Sequence, residues 1–284
     1  MEKPTPIIVY TPDSQLRHPA RLARKMIRDL KNSRELAWRL LMRNIKAQYR
    51  QTLLGYYWAF LPPILTTMVW VFLKSQKIFQ IADTGLPYPV YVMTGTVLWQ
   101  LFVDALNSPL RLVLSSKQMI VKVNFPREAL ILAGLGEVLF NFTVRILILI
   151  VLFLWFQVEL PGSAVLAPFG ILALMTAGVM IGLLLVPLGL LYGDIQRGLV
   201  LITSLWFFVT PIVYPTPTSF PANLIAKLNP IVPILVTSRE WLLTGIATNP
   251  DAFVITSLFF LVFTFFAWTL YHVAMPHITI RIGT

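Results

Sequence analysis

The amino-acid sequence predicts an all-α polytopic membrane protein. Six transmembrane helices, an amino-terminal amphipathic interface helix and short re-entrant helices between spans 5 and 6 make up the expected architecture. Three observations lead there. First, 57% of the 284 residues are hydrophobic and only 12% are charged, with a mean hydropathy of +0.74. Soluble domains carry about 25% charged residues, so too little polar surface remains to cover a water-exposed globule, and lipid is the alternative solvent. Second, apolar stretches of near-spanning length follow one another after Gly55. Third, 12 of the 23 Lys and Arg fall between Lys3 and Arg50, ahead of the first such stretch, as in cytoplasmic flanks of membrane spans.

Crossing about 30 Å of hydrocarbon takes roughly 20 helical residues. The candidate spans are Tyr56–Leu73, Tyr88–Leu106, Leu130–Phe156, Leu166–Leu191, Leu199–Tyr214 and Ala252–Val273. The fifth is short and runs into Pro211 and Pro215. Six spans place both termini on one side. With the amino terminus inside, the inner segments hold 18 Lys and Arg and the outer ones hold Lys74, Lys77, Lys227 and Arg239, while Arg145 lies within a span. That bias predicts cytoplasmic termini. Residues 1–50 show no apolar run ahead of a small-residue cleavage site, so no secretory signal peptide is expected. There are no cysteines, which removes disulfides and thiolate metal sites.

Three regions follow: a basic platform over residues 1–54, a transmembrane domain over 55–275, and a cytoplasmic tail over 276–284. In the platform, Leu16, Ala20, Ala23, Ile27 and Leu30 recur at helical spacing, and Arg17, Arg21, Arg24, Arg28 and Lys31 follow one position later. Ser33 reads as the N-cap of a second helix. There Trp38, Leu41, Ile45 and Tyr49 form one face and Arg39, Arg43, Lys46 and Arg50 another. Both pieces suit the headgroup plane of a membrane. No base-stacking module accompanies the charge, so nucleic acid is not an expected partner. Between spans 5 and 6, residues 215–251 are too apolar and proline-punctuated for an ordinary loop. Leu224–Leu228 and Ile231–Leu243 read as two short helices, either re-entrant or an external cap.

The chemistry-bearing patterns are mostly negative. No G-x-x-x-x-G-K-[ST] motif occurs, so ATP is not bound here through a P-loop. His18, His272 and His277 are scattered, so no metal site is expected, and the last two read as interface anchors. No catalytic constellation is seen, and an enzyme is not expected. Glu137, Asn141 and Arg145 recur at i, i+4 and i+8, on one face of the third span. Glu137 and Arg145 stand roughly 12 Å apart along the axis, so pairing needs Asn141 or a neighbouring helix. Charges at that depth face protein or water, which leaves a translocation path or a buried interhelical network. Asp104, Asn107 and Ser108 are read as water-accessible. Tyr56, Trp58 and Phe60 open the first span, and Trp206, Phe207 and Phe208 lie inside the fifth; these fit sugar stacking, an interface belt or helix packing. Residues 115–129, with Met119, Ile120, Lys122, Phe125, Arg127 and Glu128, suit a knob docking into a partner or a simple interfacial turn.

Several short stretches recur in the order seen in one family. They are Leu54-Gly55 with Trp58-Ala59 and Pro62; Pro87-Tyr88-Pro89 before Gly95 and Leu98-Trp99; and Phe125-Pro126-Arg127-Glu128. Further on come residues 192–197 (YGDIQR), 210–215 (TPIVYP) and 228–230 (LNP). Together these stretches make the chain resemble the permease of a type-2 ABC exporter, in the branch that moves O-antigen, capsule or teichoic-acid polymers. Residues 191–194 read Leu-Tyr-Gly-Asp where that family often has Arg-Tyr-Arg-Asp.

The resemblance implies a homodimer of this chain in the bacterial inner membrane, working with two copies of a separate ATPase. No cofactor belongs to this chain; the partner would bind ATP and Mg. Residues 115–129 would couple to the ATPase. The first and fifth spans, with Tyr56, Trp58, Phe60, Trp206, Phe207 and Phe208, would line the path. A lipid-linked polysaccharide is the implied substrate, its carrier pyrophosphate drawn to Arg39, Arg43, Lys46 and Arg50. Rival readings are a small-molecule exporter, a polyprenyl-sugar transferase and a passive channel. A transferase should cluster carboxylates or histidines at one membrane level, and a channel needs no coupling segment.

Overall fold

The structure is a computed structural model, and it describes residues 19–50, 57–78, 81–82, 84–123 and 125–283. Among these every regular element is helical: α1 (Pro19–Asn32), α2 (Arg34–Arg50), α3 (Tyr57–Ser75), α4 (Tyr88–Ser115), α5 (Lys117–Lys122) and α6 (Glu128–Trp155). After a 3-10 turn at Gly162–Leu166 come α7 (Ala167–Leu191), α8 (Asp194–Val209), α9 (Ala222–Leu228), α10 (Ile231–Leu243) and α11 (Pro250–Gly283).

Among the described residues four helical segments are long and apolar enough to cross a membrane: Tyr88–Ser115, Glu128–Trp155, Gly162–Leu191 and Pro250–Ile278. α4 runs past its expected end at Leu106, because a helix interior tolerates Asn107, Ser108 and even Pro109 when neighbours pack around it, and α11 runs past Val273 into the expected tail. The fifth expected span is displaced. α8 begins at Asp194, not Leu199, and stops at Val209, not Tyr214. Asp194 is favoured in a first helical turn, where it faces the positive dipole end. Thr210 adopts φ −95°, ψ 134°, since a residue before proline is driven out of the helical region. With 16 residues, α8 is about 24 Å long.

α4 is the hub, packing on α3, α6, α7, α8 and α10. Its apolar residues are buried nearly all round, whereas α6 and α11 expose Leu147, Val151, Leu154, Val262 and Phe266 among others. Exposed apolar bands of that extent belong against lipid or another protein surface. Close approach of α4 and α7 rests on glycine. A Cβ on Gly178 would stand 2.6 Å from the Phe102 carbonyl oxygen, and one on Gly182 2.4 Å from that of Leu106.

The platform is docked on this bundle. Leu22 and Met26 of α1, and Ala37, Leu40 and Ile45 of α2, are buried, while Ile27 and Trp38 are exposed. Only part of the expected apolar line therefore faces out. Ser33 does not cap α2. Its hydroxyl donates back to the Asp29 carbonyl at 2.6 Å, serving the end of α1. α2 meets α6 where Leu41 lies against Gly136 and where Asn44 Nδ2 donates to Glu137 Oε1 at 2.6 Å.

Glu137 also pairs with Arg111 of α4 at 2.8 Å, and Arg145 pairs with Asp104 at 2.6 Å. Both charges of the α6 stripe thus find partners on neighbouring helices, with half-buried Asn141 between them. The stripe is an interhelical network. Asp104, expected to meet water, keeps 29% of its side chain exposed and is also held by an arginine.

The turn after α8 is irregular and is held by side-chain hydrogen bonds. Arg239 of α10 donates through Nη1 to the carbonyls of Pro211 and Ile212, both at 2.9 Å. The Tyr88 hydroxyl donates to Val213 O at 3.0 Å and that of Tyr91 to Tyr214 O at 3.2 Å. Arg239 lies 4.1 Å from the Tyr91 ring centroid. Gly95 admits the Ile212 backbone, since a Cβ there would be 2.4 Å from its oxygen. Asn229 donates to Thr210 Oγ1 at 2.9 Å and accepts from Ile231 N at 3.1 Å, starting α10.

Two expectations follow. Replacing Arg239 by Met leaves two buried carbonyls without donors, at about 1–3 kcal/mol each. Thermal unfolding of the detergent-solubilised protein should shift well below wild type, and further than for Tyr91→Phe, which removes one donor. For the α4–α6 pair, Arg145→Met leaves the part-buried Asp104 carboxylate without its cation and should destabilise by about 1–3 kcal/mol. The double variant Asp104→Leu/Arg145→Met should recover most of that, and an equal loss in single and double variants would show that the pair is not the reason.

Candidate functional site

α8 turns Thr203 and Trp206 toward α4, and Leu199, Thr203 and the Thr210 that ends the helix are buried. α3 packs on the neighbouring side of α4, where Thr67 Oγ1 approaches Met93 Sδ at 3.6 Å. Between α3, α4 and α8 lies a cavity of about 510 Å³. Aromatic and hydroxylated groups share its wall: Trp70, Trp99, Phe207 and Phe208 with Thr66, Thr96, Gln100, Thr203 and Ser204. Among the described residues, Thr96 Oγ1 and Gln100 Oε1 are buried there without a hydrogen-bond partner. Orphaned polar atoms in native cores call for an explanation, and a wall of apolar faces carrying such atoms suits a hydroxyl-rich ligand.

The aromatic candidates separate. Phe207 and Phe208 line the cavity, stacked edge-on to each other at 5.4 Å. Trp206 turns into the bundle, edge-on to Trp99 at 6.0 Å and to Phe102 at 5.4 Å. Phe60 is half-buried in α3 and is not among the lining residues. Tyr56 lies outside the described residues, as does the side chain of Trp58. The sequence reading missed Trp99, Thr96 and Gln100. The Leu98-Trp99 pair had stood out as a motif, and its spacing from Thr96 and Gln100 put all three on one stretch of helix.

The coupling candidates sit on and around α5. Ile120 is buried, Met119, Phe125 and Arg127 are half-buried, and Lys122 is exposed beside Val123. Lys117 and Gln118 are exposed on the same short helix. Glu128 is not presented outward. It is buried, with Oε1 2.5 Å from His272 Nδ1 of α11. His272 is therefore part of a buried pair and not a simple interface anchor.

On α2, Arg39, Arg43 and Lys46 are exposed. Arg39 reaches Glu35 at 2.6 Å in an i, i+4 pair, and Arg43 donates to Asn44 Oδ1 at 3.2 Å. The Arg50 side chain and Arg17 lie outside the described residues. Glu137 and Arg145 are tied into the α2–α4–α6 network, and neither they nor Asn141 line the cavity.

No family model matches the chain. It is similar to the O-antigen export system permease protein RfbA of Myxococcus xanthus, 27% identical over 217 residues, which are 75% of this chain and 82% of the relative. The protein of the same name from Klebsiella pneumoniae is 27% identical over 211 residues, 72% of this chain and 78% of the relative. The polysialic acid transport protein KpsM of Escherichia coli is 23% identical over 238 residues, 82% of this chain and 90% of the relative. Over most of its length the chain is thus similar to proteins named for O-antigen export and polysialic acid transport, in agreement with the resemblance its ordered motifs carry.

Proposed function

We propose that this chain is the membrane permease subunit of an ATP-driven exporter that moves a lipid-linked polysaccharide across the bacterial inner membrane. The observation that carries the reading is the similarity to the O-antigen export permeases over about three quarters of the chain. The aromatic and hydroxylated cavity between α3, α4 and α8 supports it, because pyranose rings offer apolar C–H faces and a rim of hydroxyls.

In this reading α3 and α8 join the four longer apolar segments to make six spans. Both termini face the cytoplasm, and two copies of the chain assemble with two copies of an ATPase that binds ATP and Mg. α3 and α8 of the two copies face each other across the path, and their exposed Met68, Phe72, Leu201 and Leu205 meet the partner or the substrate's lipid. α9 and α10 form the re-entrant outer gate. α5 docks into the ATPase through Lys117, Gln118, Lys122 and Val123. The exposed cations Arg39, Arg43 and Lys46, with Arg50, attract the carrier pyrophosphate.

Deleting the gene should abolish surface polysaccharide while lipid-linked polymer accumulates inside, and the tagged protein should copurify with a P-loop ATPase. Normal surface polymer in the deletion strain overturns the proposal. Neutralising Arg43, Lys46 and Arg50 together should lower export about tenfold or more at normal protein level. Each charge-assisted contact contributes about 1.5–3 kcal/mol, and about 1.4 kcal/mol is a factor of ten. Export unchanged in that variant would assign the pyrophosphate contact elsewhere.

A further inference from the structure

α1 is held to the bundle at a corner where three chemistry-bearing side chains meet. Asp29 comes from α1, Glu128 is the first residue of α6, and His272 lies on α11. Their candidate ligand atoms all fall within 4.8 Å of one another. The Glu128 side chain is 3% exposed and that of His272 10%, and Asp29 is half-buried. The surroundings fix all three helices. Met26 is buried one turn before Asp29, its sulfur 3.9 Å from Thr269 Oγ1, and the Tyr271 hydroxyl donates to the Arg127 carbonyl at 3.4 Å.

Two carboxylates converge on one imidazole, so the trio keeps a net negative charge even when His272 is protonated. Arg127, half-buried, precedes Glu128 at the same corner. Among the described residues the Asp29 carboxylate accepts no hydrogen bond and enters no ion pair. Two carboxylates brought together in a partly buried place repel unless a proton or a cation stands between them.

We propose that Asp29, Glu128 and His272 bind a divalent transition-metal ion of the zinc class, which ties α1 to α6 and α11. The donor set decides the class. One imidazole nitrogen with two carboxylate oxygens suits zinc and its first-row neighbours, whereas calcium and magnesium take oxygen alone. Around zinc these donors stand at about 2.0–2.2 Å from the ion, hence roughly 3.4 Å from one another at tetrahedral angles. The Glu128–His272 contact at 2.5 Å has to open by less than an ångström, and Asp29 has to move inward by a side-chain rotation. The metal takes the place of the proton between Nδ1 and Oε1, the imidazole binding as its neutral form. Three protein ligands leave one position for water. None of this depends on the export reading.

The test uses the full-length detergent-solubilised protein, stripped with chelator and then dialysed against zinc. One zinc ion should be retained per chain by metal analysis, and cobalt in its place should give visible d–d bands. Asp29→Asn and His272→Gln should each lose the retained metal and the bands, while Glu35→Gln, on an exposed site of α2, should keep both. Zinc should also slow proteolysis within α1 in the wild type alone. Asp29→Asn leaves the Glu128–His272 pair in place, so a folded variant is at hand even if His272→Gln fails. No stoichiometric retention in the wild type, or equal retention in Asp29→Asn, overturns the proposal and leaves a proton-bridged pair.

Discussion

The constraint on which the bundle depends is the need to satisfy backbone carbonyls where α8 gives way to irregular chain. Pro211 forbids the helix from continuing, and the four carbonyls from Pro211 to Tyr214 are left without helical partners among apolar neighbours. Each receives a side-chain donor: two from Arg239, one from Tyr88 and one from Tyr91. A missing donor would leave a buried acceptor whose desolvation is not offset. This explains why a fully buried arginine is tolerated. Its charge is spread over a planar group that donates to two oxygens and stacks on Tyr91, the kind of site that guanidinium suits and ammonium does not. The three motifs Pro-Tyr-Pro, Thr-Pro-Ile-Val-Tyr-Pro and Leu-Asn-Pro meet here. Pro211 stops α8, Pro87 and Pro230 stand at the N-caps of α4 and α10, and Tyr88, Tyr91 and Asn229 supply bonds that these ends require.

α4 carries that constraint into the rest of the molecule. Reading from its start, Tyr88 and Tyr91 hold the turn, and Gly95 admits it. Thr96, Trp99 and Gln100 then wall the cavity, Asp104 receives Arg145, and Arg111 receives Glu137. The distance from Tyr88 to Arg111 is about 35 Å along a helix, close to the thickness of a bilayer. One helix therefore sets the outer turn, the cavity and both buried ion pairs in register. Glycines on α7 let it pack at backbone distance, which leaves little room for α4 to tilt independently of α7.

Much of this was legible in the sequence and some was not, for a physical reason. Apolar length and charge bias are local properties, so α6 and α7 fall close to the expected spans, whereas α11 starts near Ala252 but runs past Val273, through most of the expected tail, to Gly283. The short helices α9 and α10 follow from proline spacing, since proline marks helix starts and stops without any tertiary knowledge. The start of α8 was misplaced because Asp194 and Arg197 look like loop when counted as charge. At a helix N-terminus and on its exposed flank they are compatible with the helix. Partners are a non-local property. Asp104 and Arg145 are 41 residues apart, Asn44 and Glu137 are 93 apart, and Glu128 and His272 are 144 apart. Periodicity shows that Glu137 and Arg145 share a face but not which helix receives them. The scatter of the histidines hid that one of them meets two carboxylates in space.

The same connectivity limits how a force applied at one end can travel. α5 follows α4 with Ser116 alone between them. The Ser116 amide donates to Leu112 O at 3.0 Å and the Ile120 amide to Ser116 O at 2.9 Å, so the hydrogen-bonded path bends but is not interrupted. On the proposed reading the ATPase pushes on α5, and the push reaches α4 through that joint before it can be absorbed by a flexible loop. α4 is braced against α7 by close-packed backbone and against α6 by two ion pairs, so the displacement of lowest cost moves α4, α6 and α7 together. α8 is attached to that body mainly through aromatic contacts and the 210–214 turn, and α3 flanks it across the cavity. On the same reading relative motion falls on the α3–α8 side, where the cavity lies, because the 210–214 turn is tied to α4 and α10 by its four side-chain donors.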